Sequence, residues 1–145
     1  MTRAKVLWIL AIVANALGWA LPVIEDDQRV YRGAHAFRVA LSPLWPYEQF
    51  HMPAGHVMWL SVASALTNVV FVVMAAYLWP YVARATGSRL GVFVLGAAAL
   101  LNLHWTVTLQ GTAADLGIGY YVWVVSFVLL LVAVHPALAA RRDLT

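Results

Sequence analysis

Four apolar stretches, each long enough to cross a bilayer, constrain this chain more than any other feature. A spanning helix needs about 20 mostly apolar residues. Stretches of this kind run over about residues 6–24, 56–79, 90–110 and 118–135, with Pro80 expected to stop the second and Pro136 standing behind the fourth. A chain in hydrocarbon must satisfy its own backbone hydrogen bonds, so helices are the expected form. A closed barrel would need more strands than this length offers. Composition agrees, with 63% hydrophobic and 10% charged residues against roughly 25% charged in a soluble domain. The expected fold is all-α: a single integral membrane domain over residues 1–145, built as a four-helix bundle in the lipid bilayer. Arg3, Lys5, the apolar run and the small residues Ala14, Ala16 and Ala20 would also suit a secretory signal. We read this segment as the first membrane helix.

Orientation follows from Lys and Arg in the short flanks. Arg3 and Lys5, then Arg84 and Arg89, then Arg141 and Arg142 fall on one side, which places both ends in the cytoplasm. Arg29, Arg32 and Arg38, with Glu25, Asp26, Asp27, Glu48 and Asp115, fall on the other. Rings cluster near the expected helix ends: Trp8, Tyr77, Trp79 and Tyr81 inside, Trp19, Trp59, Tyr120, Tyr121 and Trp123 outside. That is where an apolar ring with a polar tip is stable. The location implied is a multi-pass position in a cell inner membrane. No basic cluster stands on a soluble surface, which excludes nucleic acid as a partner.

The outer loop, about residues 25–55, is too rich in large apolar groups to be a disordered linker. Within it Tyr31, Ala34, Phe37, Leu41 and Leu44 recur at steps of three or four. That spacing predicts a short amphipathic helix with Arg29, Arg32 and Arg38 off its apolar stripe.

Each polar residue inside a span needs a partner. Asn15, Asn68, Asn102 and Ser126 fall near the middles of the four helices, at similar depth. They are expected to face the bundle interior and bond across helices. The outer half of the third helix adds His104, Thr106, Thr108 and Gln110. His56, Ser61 and Ser64 on the second helix and Tyr120 and Tyr121 on the fourth lie level with them. Together with Asn102 these residues outline a cleft open to the outer side, a candidate ligand site with apolar walls and a few convergent polar groups. The alternative is that the Ser and Thr hydroxyls bond back to their own helices. Ala11, Asn15 and Gly18 with Pro22 make one small-residue stripe on the first helix, and Gly111, Gly117 and Gly119 crowd the third turn; these suit close packing.

Other chemistries are poorly supplied. Cysteine is absent, which removes disulfides, thiolate metal sites and thiol catalysis. Glu48, His51 and His56 have Glu-x-x-His character, but Pro46 and Pro53 confine it to about one turn. His56 and His104 match in depth only loosely for a haem. No carboxylate lies well inside a span, where ion-coupled export needs one; short multidrug exporters have one in their first helix, where this chain has only Asn15. No serine has an acidic partner nearby in sequence. No catalytic residue, metal site or resident cofactor is therefore assigned.

The segment Gly117-Ile-Gly-Tyr-Tyr-Val-Trp-Val-Val-Ser-Phe, with Pro22 after the first helix and Asn68 in the second, resembles small bacterial four-helix inner-membrane proteins of unassigned function. That resemblance implies the layout and no chemistry. A long first outer loop is also similar to claudin-like tetraspan proteins, although their paired cysteines are missing here. The leading functional expectation is a non-enzymatic protein that binds a partner membrane or periplasmic protein, or lipid, through its first loop and outer cleft. An accessory subunit or an immunity-type protein would act so. The alternatives are a binder or carrier of a small amphipathic ligand (a quinone, lipid or haem), and an outer-interface enzyme using His56 or His104 as base.

Overall fold

A computed structural model of the chain describes residues 1–25, 29–47, 55–108 and 115–135. Among these residues the elements run α1 (Arg3–Ala20), β1 (Pro22–Glu25), β2 (Val30–Arg32), α2 (Gly33–Ala40), α3 (His56–Arg84), α4 (Arg89–Thr108), β3 (Asp115–Leu116) and α5 (Ile118–Ala133). The chain is overwhelmingly helical. Three helices, α1, α3 and α4, are long and apolar enough to cross a membrane; α5 is apolar but has 16 residues, about 24 Å at 1.5 Å per residue.

The four long helices run alternately up and down. α1 packs along α5, α5 along α4, α4 along α3, and α3 against α1. Trp8 Nε1 donates to the Ala75 carbonyl at 3.1 Å and fixes the α1–α3 level. Phe71 and Phe127 meet edge-on at 5.1 Å across the α3–α5 diagonal. With Leu78, Leu95, Leu130, Val82 and Val134 they form the main core. Ser88 starts α4 by accepting from the Gly91 N–H on its hydroxyl, and its own N–H donates to the Val134 carbonyl at the end of α5.

Pro22 ends α1, because it has no N–H to give the Gly18 carbonyl four residues back. The chain then turns extended. β1 pairs antiparallel with β2 on one edge and with β3 on the other, in the order β2-β1-β3. This small sheet was not foreseen, because its strands have two to four residues and carry almost no alternation to read. With α2 it forms a cap over one end of the bundle.

Pro80 does not end the second long helix. α3 continues through it to Arg84 and stops where Ala85 takes a left-handed conformation, φ 55°. There the Thr86 N–H bonds the Tyr81 carbonyl and the Ala85 N–H bonds the Val82 carbonyl, which satisfies the last carbonyls. Proline removes one ladder bond, and that loss alone does not halt a helix whose next turn is packed. α2 also departs from expectation. It turns Ala36, Phe37 and Ala40 toward the bundle, while Ala34 is exposed and Tyr31 belongs to β2. The reason is steric: Gly33 lies so close to the Gly18 carbonyl and Trp19 Cα that no Cβ would fit, and this fixes the start and rotation of the helix.

The junction of α1, β1 and α5 is built on the same kind of contact. A Cβ on Gly18 would lie 2.9 Å from Trp123 Cβ, one on Gly119 2.5 Å from the Pro22 carbonyl oxygen, and one on Gly117 2.6 Å from that same atom. These glycines serve close backbone approach.

Polarity is inverted relative to a soluble bundle. Phe93, Leu100, Val107 and Val72 are 75%, 71%, 66% and 63% exposed, whereas Asn102 and Ser126 are fully buried. Gly119→Ala is expected to destabilise by about 1–3 kcal/mol through overpacking. Gly96→Ala, whose Cβ would sit 3.6 Å from Leu131 Cδ1, should stabilise by about 0.5–1 kcal/mol through helix propensity. Thermal unfolding in detergent checks the opposite signs.

Candidate functional site

Beneath the cap lies a cavity of about 370 Å³, at the lower end of the roughly 300–1,000 Å³ typical of ligand pockets. α1 contributes Trp19, β1 Val23 and Ile24, α2 Phe37 and Ala40, α3 Ser61, Ser64 and Asn68, α4 Trp105, and α5 Tyr120 and Trp123. Among the described residues its lining contains no charged side chain.

Ser64, Asn68, Tyr120 and Trp123 in this lining, and Asn15, Thr67, Asn102 and Ser126 beside it, are all hydrogen-bonded. Asn15 Nδ2 donates to Ser126 Oγ at 3.2 Å, and that hydroxyl donates to the Trp123 carbonyl at 2.6 Å. Trp123 Nε1 donates to Asn68 Oδ1 at 2.9 Å, and Asn68 Nδ2 to the Ala65 carbonyl at 3.1 Å. A second group centres on Asn102. Its Oδ1 accepts from Ser64 Oγ at 2.6 Å, its Nδ2 donates to Thr67 Oγ1 at 3.0 Å, and its backbone carbonyl accepts from the Tyr120 hydroxyl at 2.6 Å. The three asparagines therefore turn inward and bond across helices, each to other partners rather than to one another.

Of the residues expected in an outer cleft, Ser61, Ser64 and Tyr120 line the cavity, and Asn102 lies directly behind them. Ser61 bonds back to the Val57 carbonyl at 2.9 Å, and its lone pairs stay available at the wall. His56, His104 and Tyr121 are exposed and outside the lining. Thr106 and Thr108 bond back to the Leu103 and His104 carbonyls of their own helix. That is the usual recourse of a hydroxyl with no neighbour across a helix interface. Gln110, Glu48 and His51 lie outside the described residues. The helical face carrying Asn102 points inward, and the neighbouring face with His104 and Thr108 does not.

Sequence reasoning missed the apolar walls: Trp19, Val23, Ile24, Phe37, Trp105 and Trp123. Trp19 and Trp123 had a legible signal, being rings near helix ends, but were assigned to an interfacial belt; Tyr120 was expected in both the belt and the cleft. The structure packs Tyr120 and Trp123 inward, 6.2 Å apart, because Gly18 and Gly119 bring α1 against α5.

Asn102→Ala removes the side-chain partners of Ser64 and Thr67 and leaves the backbone carbonyl that Tyr120 bonds, and should lower stability by about 1–3 kcal/mol. Thr108→Val removes only a bond within one helix turn and should leave the melting temperature within error of wild type. Parallel thermal unfolding of both variants in one detergent checks the contrast.

Comparison with known proteins adds no relative: no family model matches this chain, and neither does any curated protein or solved structure.

Proposed function

We propose that this chain is a non-enzymatic membrane protein that binds a small neutral, largely apolar ligand in the cavity beneath its cap. In this reading all four long helices cross a bacterial inner membrane, both ends are cytoplasmic, and the cap faces outward. Arg3, Lys5, Arg84 and Arg89 lie at the bundle end opposite the cap, where the positive-inside rule puts the cytoplasm. Apolar residues on the outward faces of all four helices support immersion, since a soluble monomer rarely exposes more than a few hundred Å² of contiguous apolar surface.

The single observation that carries the ligand reading is the cavity itself. It is walled by aromatic and aliphatic groups drawn from every long helix and the cap, and among the described residues its lining carries no charge. A charged ligand would lose its hydration there with nothing to replace it. A neutral ring or chain with one hydroxyl or carbonyl would not, because Ser61 stands ready at the wall. Quinones and neutral lipids have this character. Haem is disfavoured, since His56 and His104 lie outside the lining.

Ala36→Phe, which fills the cavity from α2, is expected to abolish ligand recovery in lipid mass spectrometry of the purified protein. The double variant His56→Ala/His104→Ala should retain it, and loss of the ligand there would favour chemistry at those histidines instead.

A partner-protein reading is favoured by one other feature. Val30, Leu44 and Trp45 are exposed on the cap, and the Arg38 guanidinium lies 3.7 Å over the Trp45 ring. A fixed Trp–Arg pair of this kind is typical of an interface hot spot. Such a surface suits docking of a membrane or periplasmic protein by an accessory subunit or immunity-type protein. Cross-linking in intact cells should lose its partner band on Trp45→Ala; a band of unchanged intensity would count against this surface.

A further inference from the structure

A second concavity lies between α1 and α3, open along the side of the bundle, with a volume of about 870 Å³. Trp8 and Trp79 stand at the end away from the cap, their ring centroids 4.8 Å apart. Ala16 and Ala76 leave its middle shallow-walled and are themselves exposed. Its upper boundary is Trp19. That same ring lines the cavity beneath the cap, so one indole stands between the two spaces. It is half-buried and packs on Phe37 of the cap, 5.0 Å centroid to centroid.

We propose that the α1–α3 groove is the lateral access route by which a neutral, chain-bearing lipid reaches the cavity from the bilayer, with the Trp19 ring as its gate. The proposal rests on the ligand reading above and adds the direction of arrival and the ligand's chain. Each methylene favours hydrocarbon over water, so a chain-bearing ligand is concentrated in the bilayer and scarce at the water-facing side of the cap. The groove wall is apolar along its length except at Asn15. That amide is nine-tenths buried and spends Nδ2 on Ser126. Its Oδ1 accepts no hydrogen bond among the described residues, and it offers a hydroxyl one contact on the way past. Among the described residues that line this path none is charged, so an ionised headgroup meets no counter-charge from them, which selects for neutral lipids.

The test uses full-length protein in lipid-bilayer discs and a long-chain alcohol brominated at mid-chain, whose bromine quenches indole fluorescence. The trace of the cavity-filled Ala36→Phe variant is the baseline, since it retains quenching from the surrounding lipid. Wild type is expected to show an additional saturable phase. Ala16→Phe/Ala76→Phe, which fills the groove from two exposed positions, should slow that phase at least tenfold without changing its final amplitude. Trp19→Ala should accelerate both its onset and its reversal. A wild-type phase whose rate is untouched by the groove-filling pair and by Trp19→Ala would overturn the access route while leaving ligand binding intact. Absence of any phase above the Ala36→Phe baseline would overturn the ligand reading itself.

Discussion

Buried amides and hydroxyls that have no water to bond must find one another, and the bundle is arranged around that requirement. One chain of hydrogen bonds runs from Asn15 on α1 through Ser126 and Trp123 on α5 to Asn68 on α3. A second ties Asn102 of α4 to Ser64 and Thr67 of α3 and to Tyr120 of α5. Every long helix is thereby held to a neighbour by directional contacts as well as by packing. Between helices in lipid, apolar contact gives little advantage over contact with acyl chains. These bonds, with close packing, are what distinguish one register from another.

Glycine determines where the second level of structure can form. Gly18, Gly33, Gly117 and Gly119 allow the end of α1, the start of α2 and the start of α5 to approach at backbone distance. The hairpin of β1 and β2 and the short β3 then fold over the bundle end instead of extending away from it. The space directly below is bounded by side chains of all four long helices and the cap. The cavity is what this geometry leaves, and the rings of Trp19, Trp105, Tyr120 and Trp123 line it because they flank the glycine corner or face it.

Trp19 connects the two spaces in the molecule. It stands near the end of α1, beside the cap, and lines both the lateral groove and the half-open cavity. The Trp19 ring packs on Phe37 and is half-buried. In the access proposal a change of its rotamer, fast compared with any rearrangement of the helices, would let a ligand past without opening the bundle.

What the amino-acid order determined by itself is the helical character of the chain and the identity of its inward polar residues. Apolar runs of that length have few alternatives, and isolated Asn and Ser residues within them have few tolerable positions. The small-residue stripe Ala11, Asn15 and Gly18 was legible for the same reason, and these are the buried positions of α1. Only the tertiary structure decided the rest. The strands of the cap are too short to leave a periodic trace. The rotation of α2 is set by a contact between Gly33 and Gly18, 15 residues apart in sequence. Whether a ring near a helix end faces lipid or a cavity depends on how closely the neighbouring backbone approaches. That approach is made by residues distant in the chain, which is why Trp19 and Trp123 could be located from the sequence but not oriented.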